Sequence, residues 1–373
     1  MKNLNSIKSR IRALIKPLAL PALFLAPFLV CGSAMAAEFR EWDSFRDLHV
    51  TPAGAVADHR AEGDVITSES QSYALFFALA ANEPEVFSRI LGFTEANLAG
   101  GSLEEHLPAW KYQDGEIRDP NNATDADLFI AYSLLEAGRL WNKPEYTALG
   151  RAVIRNIMAA AVYQHPALGP LILPGRQGFA APDGTVTLNP SYYPPFVIAR
   201  LSLEDPEFAR AGSNTLAQII RGSGAGFAPD WMHFTSQGEL LTLPDDRGGW
   251  DATRVYLWLG LTSDSDPVKK LMLPAYRNIS VMAGRTLKAP DSNDFYQGVM
   301  SGNGGPAFQA PLGVMNQDRG AALFRTLTAA RVFDRGEYYG HALTVFAEGH
   351  HRNLIRFDRH GRLTDPGARL KGR

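Results

Sequence analysis

From residue 65 onward, apolar side chains recur at three- and four-residue spacing in one segment after another. That rhythm commits most of the chain to helices. The segments run 70–82, 84–98, 125–141, 145–162, 191–203, 206–221, 250–261, 266–283, 318–332 and 335–349. Gly- and Pro-rich connectors separate them, notably LGPLILPGRQGFAAPDGTVTLNP (168–190), RGSGAGFAPDW (221–231) and LPDDRGGW (243–250). Short β-like pieces near 170–174 and 184–188 fall inside these connectors and read as hairpins. No Gly/Ser linker, charge block or fixed-period repeat divides the chain. The expectation is one all-α domain of about 330 residues, with function carried on long loops over a helical frame. Its tail, residues 361–373, reads as frayed.

The first 36 residues follow a different grammar. Lys2, Lys8, Arg10, Arg12 and Lys16 form a basic start without an acid, an apolar stretch follows, and Ala34-Met35-Ala36 gives an A-x-A exit. Pro17, Pro21 and Pro27 interrupt the apolar stretch. The pattern is that of a secretory signal peptide rather than a membrane span. Val30 before Cys31 is not the small residue of a lipoprotein signal. The expected organisation is therefore a signal peptide, 1–36, and a single catalytic domain, 37–373, working in the periplasm or outside the cell.

Cleavage there removes the only cysteine, so the remaining 337 residues cannot form a disulfide and depend on their core. It also leaves 32 Lys and Arg against 39 Asp and Glu, a formal charge of about −7. Such a surface lacks the basic footprint of a nucleic-acid binder. A neutral polymer is not disfavoured. No later run reaches the roughly 20 apolar residues that a membrane span needs.

Three acids stand at helix mouths. In SESQSYALFFALAAN (68–82), Glu69 sits among Ser68, Ser70, Gln71 and Ser72. It is a cap or a proton donor. The helix dipole lowers its pKa, whereas Tyr73, Phe76 and Phe77 nearby would raise it towards the range of an acid catalyst. In DPNNATDADLFIAYSLLEAGRLW (119–141), Thr124 and Asp127 have capping-box spacing, which accounts for one of Asp125 and Asp127 but not both. In GGWDATRVYLWLG (248–260), Asp251 is an N-cap with an i,i+3 partner in Arg254, or a carboxylate beside Trp250, Tyr256 and Trp258. Carboxylates flanking a glycosidic bond, with aromatic rings stacked on sugar faces, are what glycoside hydrolysis requires. Trp110, Tyr112, Tyr192, Tyr193 and Trp231 are further candidate platforms, or ordinary core aromatics.

Other chemistries fit less well. His350 and His351 are adjacent, so on a helix they diverge and make poor zinc ligands. There is no G-x-S-x-G elbow and no G-x-x-x-x-G-K-[ST] loop. GSGAGF (222–227) lacks the strand–loop–helix setting of a phosphate loop.

The stretch 123–141 resembles the signature of glycoside hydrolase family 8, and 68–82 resembles that family's S-E-G-Q-S-Y-G-M block. GSLEEHLPAWKY (101–112), LNPSYYPP (188–195), GFAPDWM (226–232) and WDATRVYLWLGL (250–261) extend the resemblance over about 38–355. The branch it most resembles is the periplasmic endoglucanases of bacterial cellulose synthesis operons. The resemblance implies an (α/α)6 barrel with small β-hairpins, and an endo-β-1,4-glucanase acting with inversion on a cellulose or β-glucan chain. It implies no metal and no cofactor, and makes the cellulose synthase machinery a candidate partner. Glu69 corresponds to the family's general acid and Asp251 to its general base. Asp125 corresponds to an aspartate assigned as nucleophile or sugar contact. Inversion needs no nucleophile, so Asp125 is expected to grip and distort the sugar. Arg254, Tyr192 and Trp110 match cleft positions, and Asp127, Tyr73 and Trp250 join them as substrate-binding candidates. Ser70 and Ala74 stand where the family has glycines, and are expected to add side chains beside the acid. The alternatives are a glucan-binding accessory protein with weak hydrolysis, or a chitosanase or xylanase of the same fold.

Overall fold

A computed structural model describes residues 39–365, apart from 61–62, 244–245, 295–296 and 316–318. The expected signal peptide, with Cys31, and the last eight residues lie outside the described residues. The described residues all fall in one compact unit, Ala36–Arg373.

The helices are α1 (Arg40–His49), α2 (Ser68–Ala80), α3 (Pro84–Leu98), α4 (Thr124–Leu140), α5 (Pro144–Ala161), α6 (Pro195–Leu201) and α7 (Pro206–Arg221). They continue with α8 (Ala252–Leu261), α9 (Pro267–Ala275), α10 (Arg277–Thr286), α11 (Pro306–Met315), α12 (Arg319–Ala329) and α13 (Tyr338–His351). Six of them, α2, α4, α6, α8, α11 and α13, form an inner ring in which each touches the next and α13 closes back on α2. Their outer partners are α3, α5, α7, α9, α12 and α1 respectively. The architecture is an (α/α)6 barrel.

The two layers are written differently in the sequence. Outer α7 buries Phe208, Ala211, Thr215, Leu216 and Ile219, a single stripe at helical spacing. Inner α2 buries every residue except Glu69, and α8 buries all ten of its residues. A helix enclosed on all sides has no polar face to show. The centre of the barrel is filled by aromatic rings. Phe346 of α13 lies 4.6 Å from Phe77, 5.1 Å from Trp258, 5.2 Å from Tyr73 and 5.4 Å from Phe76, centroid to centroid. Burying side chains of this size contributes about 1.5–3 kcal/mol each.

Short strands decorate the helix connections. Strands β1 (Ala57–Arg60), β2 (Gly63–Thr67), β3 (Lys111–Gln113) and β4 (Glu116–Asp119) form an antiparallel sheet. β5 (Val162–His165) and β6 (Gly169–Ile172) form the hairpin expected near 170. The piece expected near 184–188 closes a small hairpin, in which Ala180 bridges Val186 and Thr187 N–H donates to the Phe179 carbonyl at 2.9 Å. Its second arm is β7 (Val186–Leu188), which also pairs with the distant β8 (Met232–Phe234), on which β9 (Leu240–Leu241) adds.

Several expectations are corrected. The single helix read over 266–283 is two, α9 and α10, because Pro274 supplies no N–H to the ladder and the chain turns at Tyr276. α11 was not foreseen, since it is apolar all round and carries Pro311 inside it. Nor was α1, which precedes the region of helical rhythm. The tail is docked rather than frayed as far as Thr364. Tyr132 Oη donates to the Gly361 carbonyl at 2.8 Å, and Leu363 N–H donates to the buried Glu136 carboxylate at 2.8 Å. Gly361 has φ +73°, and a Cβ there would lie 1.8 Å from the Phe196 carbonyl oxygen.

Candidate active site

The first turns of α2, α4, α8 and α13 meet at one end of the barrel, while the last turns of α8, α11 and α13 meet at the other. At the N-terminal end they enclose a pocket of about 320 Å³. Its lining includes Glu69 from α2, Asp125 from α4, Asp251 and Arg254 from the start of α8, and Tyr338 and Tyr339 from α13. Trp110, Tyr192 and Trp250 add aromatic walls, and Asp58, Thr67, Ser68 and Ala123 complete it. Each inner helix returns through an outer one, so the inner N-termini collect at one end with their positive dipole ends towards the acids.

None of the three acids makes the N-cap side-chain bond of its helix, although Asp125 Oδ1 accepts from the first-turn N–H of Ala126 at 2.8 Å. The N-cap of α2 is Thr67, which accepts from Ser70 N–H at 3.0 Å, while Ser70 Oγ accepts from Thr67 N–H at 3.2 Å. Glu69 is therefore spared the capping role and turns to Arg254 instead. The capping box expected between Thr124 and Asp127 does not form. Ala123 is the N-cap position and makes no side-chain cap bond. Instead Asn122 Nδ2 donates to Asp127 Oδ2 at 2.7 Å, tying the preceding loop to the helix. The α8 cap expected of Asp251 comes from Asp230. Asp251 does pair with Arg254, at 2.9 Å.

Arg254 joins the acids. Its guanidinium pairs with Glu69 through Nη1, and with Asp251 at 2.9 Å and Asp125 at 3.8 Å through Nη2. It is fixed from behind by the buried Ser191, whose Oγ accepts from Nε at 3.2 Å and Nη2 at 2.8 Å. The rings of Tyr192 and Tyr339 lie 5.7 and 5.9 Å from the guanidinium carbon, within cation–π range. A single guanidinium touching both Glu69 and Asp251 keeps their carboxyls within about 8 Å of each other, two hydrogen-bond lengths and its own width.

The acids differ in exposure and proton affinity. The Glu69 side chain is 22% exposed, that of Asp251 30% and that of Asp125 only 6%. Burial raises Glu69 to about 7, against the pull of Arg254 and with help from Asp125 and Asp251. Burial likewise raises Asp125 to about 6, against Arg254 and the Ala126 N–H. On Glu69, burial prevails over the pull of Arg254, in the direction an acid catalyst requires. Asp251 Oδ2 makes no hydrogen bond among the described residues.

Two substrate-binding candidates do not line the pocket. Tyr73 is buried against Phe129, Trp258 and Phe346. Asp127 is fully buried behind Asp125, pushed well above the carboxylate range by burial despite the Asn122 bond, with Oδ1 unpartnered. Trp110, Tyr192, Arg254 and Trp250 do line it, and Trp250 is 62% exposed at the rim. Among the other candidate platforms, Tyr193 is core and Tyr112 packs edge-on against Phe93. Trp231 lies with Phe179 in a neighbouring groove. The two glycine replacements do not intrude. Ser70 Oγ points back to the Val56 and Thr67 carbonyls, and Ala74 is in the core. The sequence reading passed over Tyr338, Tyr339, Asp58 and Ser191. The tyrosines follow the same helix-mouth placement as the acids, which was the available signal. Asp58 on β1 has none. No group of three or more His, Cys, Asp or Glu placed to hold a metal occurs among the described residues.

A carboxyl group held protonated near neutrality, a second carboxylate beside it and aromatic walls around both define a glycoside hydrolase. The chain belongs to the glycosyl hydrolases family 8, whose model matches residues 19–353. It is 35% identical over 336 residues to an endoglucanase of Salmonella typhi, covering 88% of this chain and 91% of that one. An endoglucanase of Escherichia coli (strain K12) is 34% identical over 349 residues, covering 91% and 94%. The solved endo-1,4-D-glucanase of Vibrio fischeri ES114 superposes with a TM-score of 0.82 at 33% identity, covering 88% and 99%.

Proposed function

We propose that this protein is an exported endo-β-1,4-glucanase that cuts cellulose or a related β-glucan in a single inverting displacement, using side chains alone. The observation that carries the reading is the meeting of Glu69, Asp251 and Asp125 around Arg254 in one aromatic-walled pocket. The name endoglucanase shared by the relatives, and the 1,4 linkage named for the Vibrio fischeri enzyme, support the substrate class.

In this mechanism the Glu69 carboxyl gives its proton to the glycosidic oxygen as the C1–O bond breaks. A water attacks C1 from the opposite face and passes its proton to Asp251. Glu69 ends ionised and Asp251 protonated, and solvent resets both. An inverting site needs carboxyls about 6.5–9.5 Å apart, which the Arg254 bridge accommodates. Asp125 grips the sugar at the cleavage point, Arg254 holds the acids in register, and Trp110, Tyr192 and Trp250 stack on sugar faces. Tyr73 and Asp127 act from behind, as walls of the acid and of Asp125. Export through residues 1–36, a periplasmic or secreted location and service to a cellulose synthase complex belong to the same proposal.

The test is digestion of carboxymethylcellulose with viscosity and the first anomer followed together. A rapid fall in viscosity with release of the α-anomer is expected. Release of the β-anomer would overturn inversion. Binding of glucan without any fall in viscosity would favour an accessory glucan-binding role, and a preference for chitosan or xylan would move the substrate class.

A further inference from the structure

Asp251 stands just before the first turn of α8, where an aspartate ordinarily gives its carboxylate to the helix's own unpaired N–H groups. It does not do so here. Its backbone is already helical, at φ −81° and ψ −47°, and its side chain makes no capping bond. Asp230 takes the donors instead. Its Oδ1 accepts from the backbone N–H of Gly249 at 2.8 Å, of Asp251 at 3.1 Å and of Ala252 at 2.7 Å. Asp230 is itself stitched in place. Its N–H donates to the Arg247 carbonyl at 2.7 Å, and Ala228 N–H donates to Tyr256 Oη, on α8, at 2.9 Å. Gly248 permits this close approach, since a Cβ there would lie 2.1 Å from the Ala228 carbonyl oxygen.

We propose that Asp230 is a positioning residue for the reaction: by capping α8 from a distant loop, it fixes the Asp251 backbone and leaves the Asp251 carboxylate free for the attacking water. The inference rests on the assignment of Asp251 as general base. Without Asp230, the N–H groups of Gly249, Asp251 and Ala252 lose their acceptor, and the turn that carries Asp251 is no longer pinned. The Asp251 carboxylate then loses its fixed place beside Arg254 in the pocket.

The test compares Asp230→Ala, Asp230→Asn and Asp251→Asn on carboxymethylcellulose, each shown folded by circular dichroism and assayed well below its Tm. For Asp230→Ala, kcat is expected to fall about 100-fold with KM changed by less than about threefold. The Asp230→Asn amide keeps an acceptor where Oδ1 sits, and Oδ2 has no hydrogen bond among the described residues to lose. It is expected to recover at least about tenfold of that loss. Unchanged kcat per folded molecule in Asp230→Ala, with only a lower Tm, overturns the inference. So does an equal kcat loss in Asp230→Ala and Asp230→Asn. Should Asp230→Ala fail to fold, Asp230→Ser takes its place under the same criteria. Asp251→Asn separates the two readings. If it retains parental kcat, the base assignment itself falls. If it is inactive while Asp230→Ala is fully active, only the role of Asp230 falls.

Discussion

Glu69→Gln is expected to destroy activity and, at the same time, to change how stability depends on pH. Burial, the largest influence on Glu69, raises its carboxyl from 4.5 to about 7. A carboxyl whose folded pKa exceeds its unfolded value contributes stability that is fully present below the unfolded pKa, and that contribution is lost as pH rises through the folded one. Here the loss runs between 4.5 and about 7. At about 1.4 kcal/mol per pH unit, the parent therefore gives up about 2–3 kcal/mol between pH 5 and 8 that a glutamine does not. Urea unfolding of both proteins at the two pH values measures the difference directly. The variant should gain on the parent by that amount at pH 8, while kcat drops by about 1,000-fold or more because the proton donor is gone. In the parent, kcat should decline as pH rises through about 7, since the acid must hold its proton to act. A stability difference that stays constant between pH 5 and 8, or that moves the other way, would refute burial as the dominant influence on Glu69.

Ser191→Ala removes the hydroxyl that accepts two of the Arg254 bonds, and should lower kcat about 10- to 100-fold with the fold intact; an unchanged rate would mean the acids alone hold the guanidinium. Trp250→Ala, at an exposed rim position, should move stability by less than about 1 kcal/mol and raise KM several-fold on long glucans. A KM unchanged on long glucans would remove Trp250 from the binding surface. Glu136→Gln, away from the pocket, breaks a buried group bonded to Arg200 at 2.6 Å and to Leu363 N–H at 2.8 Å, and should destabilise the protein by about 3 kcal/mol in urea unfolding. A loss under about 1 kcal/mol would show that Glu204 alone suffices for Arg200.

Several parts of this protein could be read from neighbouring residues alone. α3 and α7 occupy the expected 84–98 and 206–221 because their apolar stripes and opening prolines are interactions within a turn or two of helix. The placement of Glu69, Asp125 and Asp251 at helix mouths was legible for the same reason. α11 was not legible, because a helix buried on every side carries no periodic contrast. Nor could β7 be paired, its partner β8 lying more than forty residues away.

The sequence by itself determined where most of the helices form and that acids stand at the starts of three of them, since spacing and chain direction act over a few residues. The tertiary structure alone decided that Asp230 caps α8, that Tyr73 and Asp127 stand behind the pocket, and that Glu69 keeps its proton to about 7. Those outcomes depend on burial and on charges such as Arg254, which reaches Glu69 across 185 residues of chain. Desolvation and Coulomb interaction depend on distance in space, and only closure of the helical ring sets that distance.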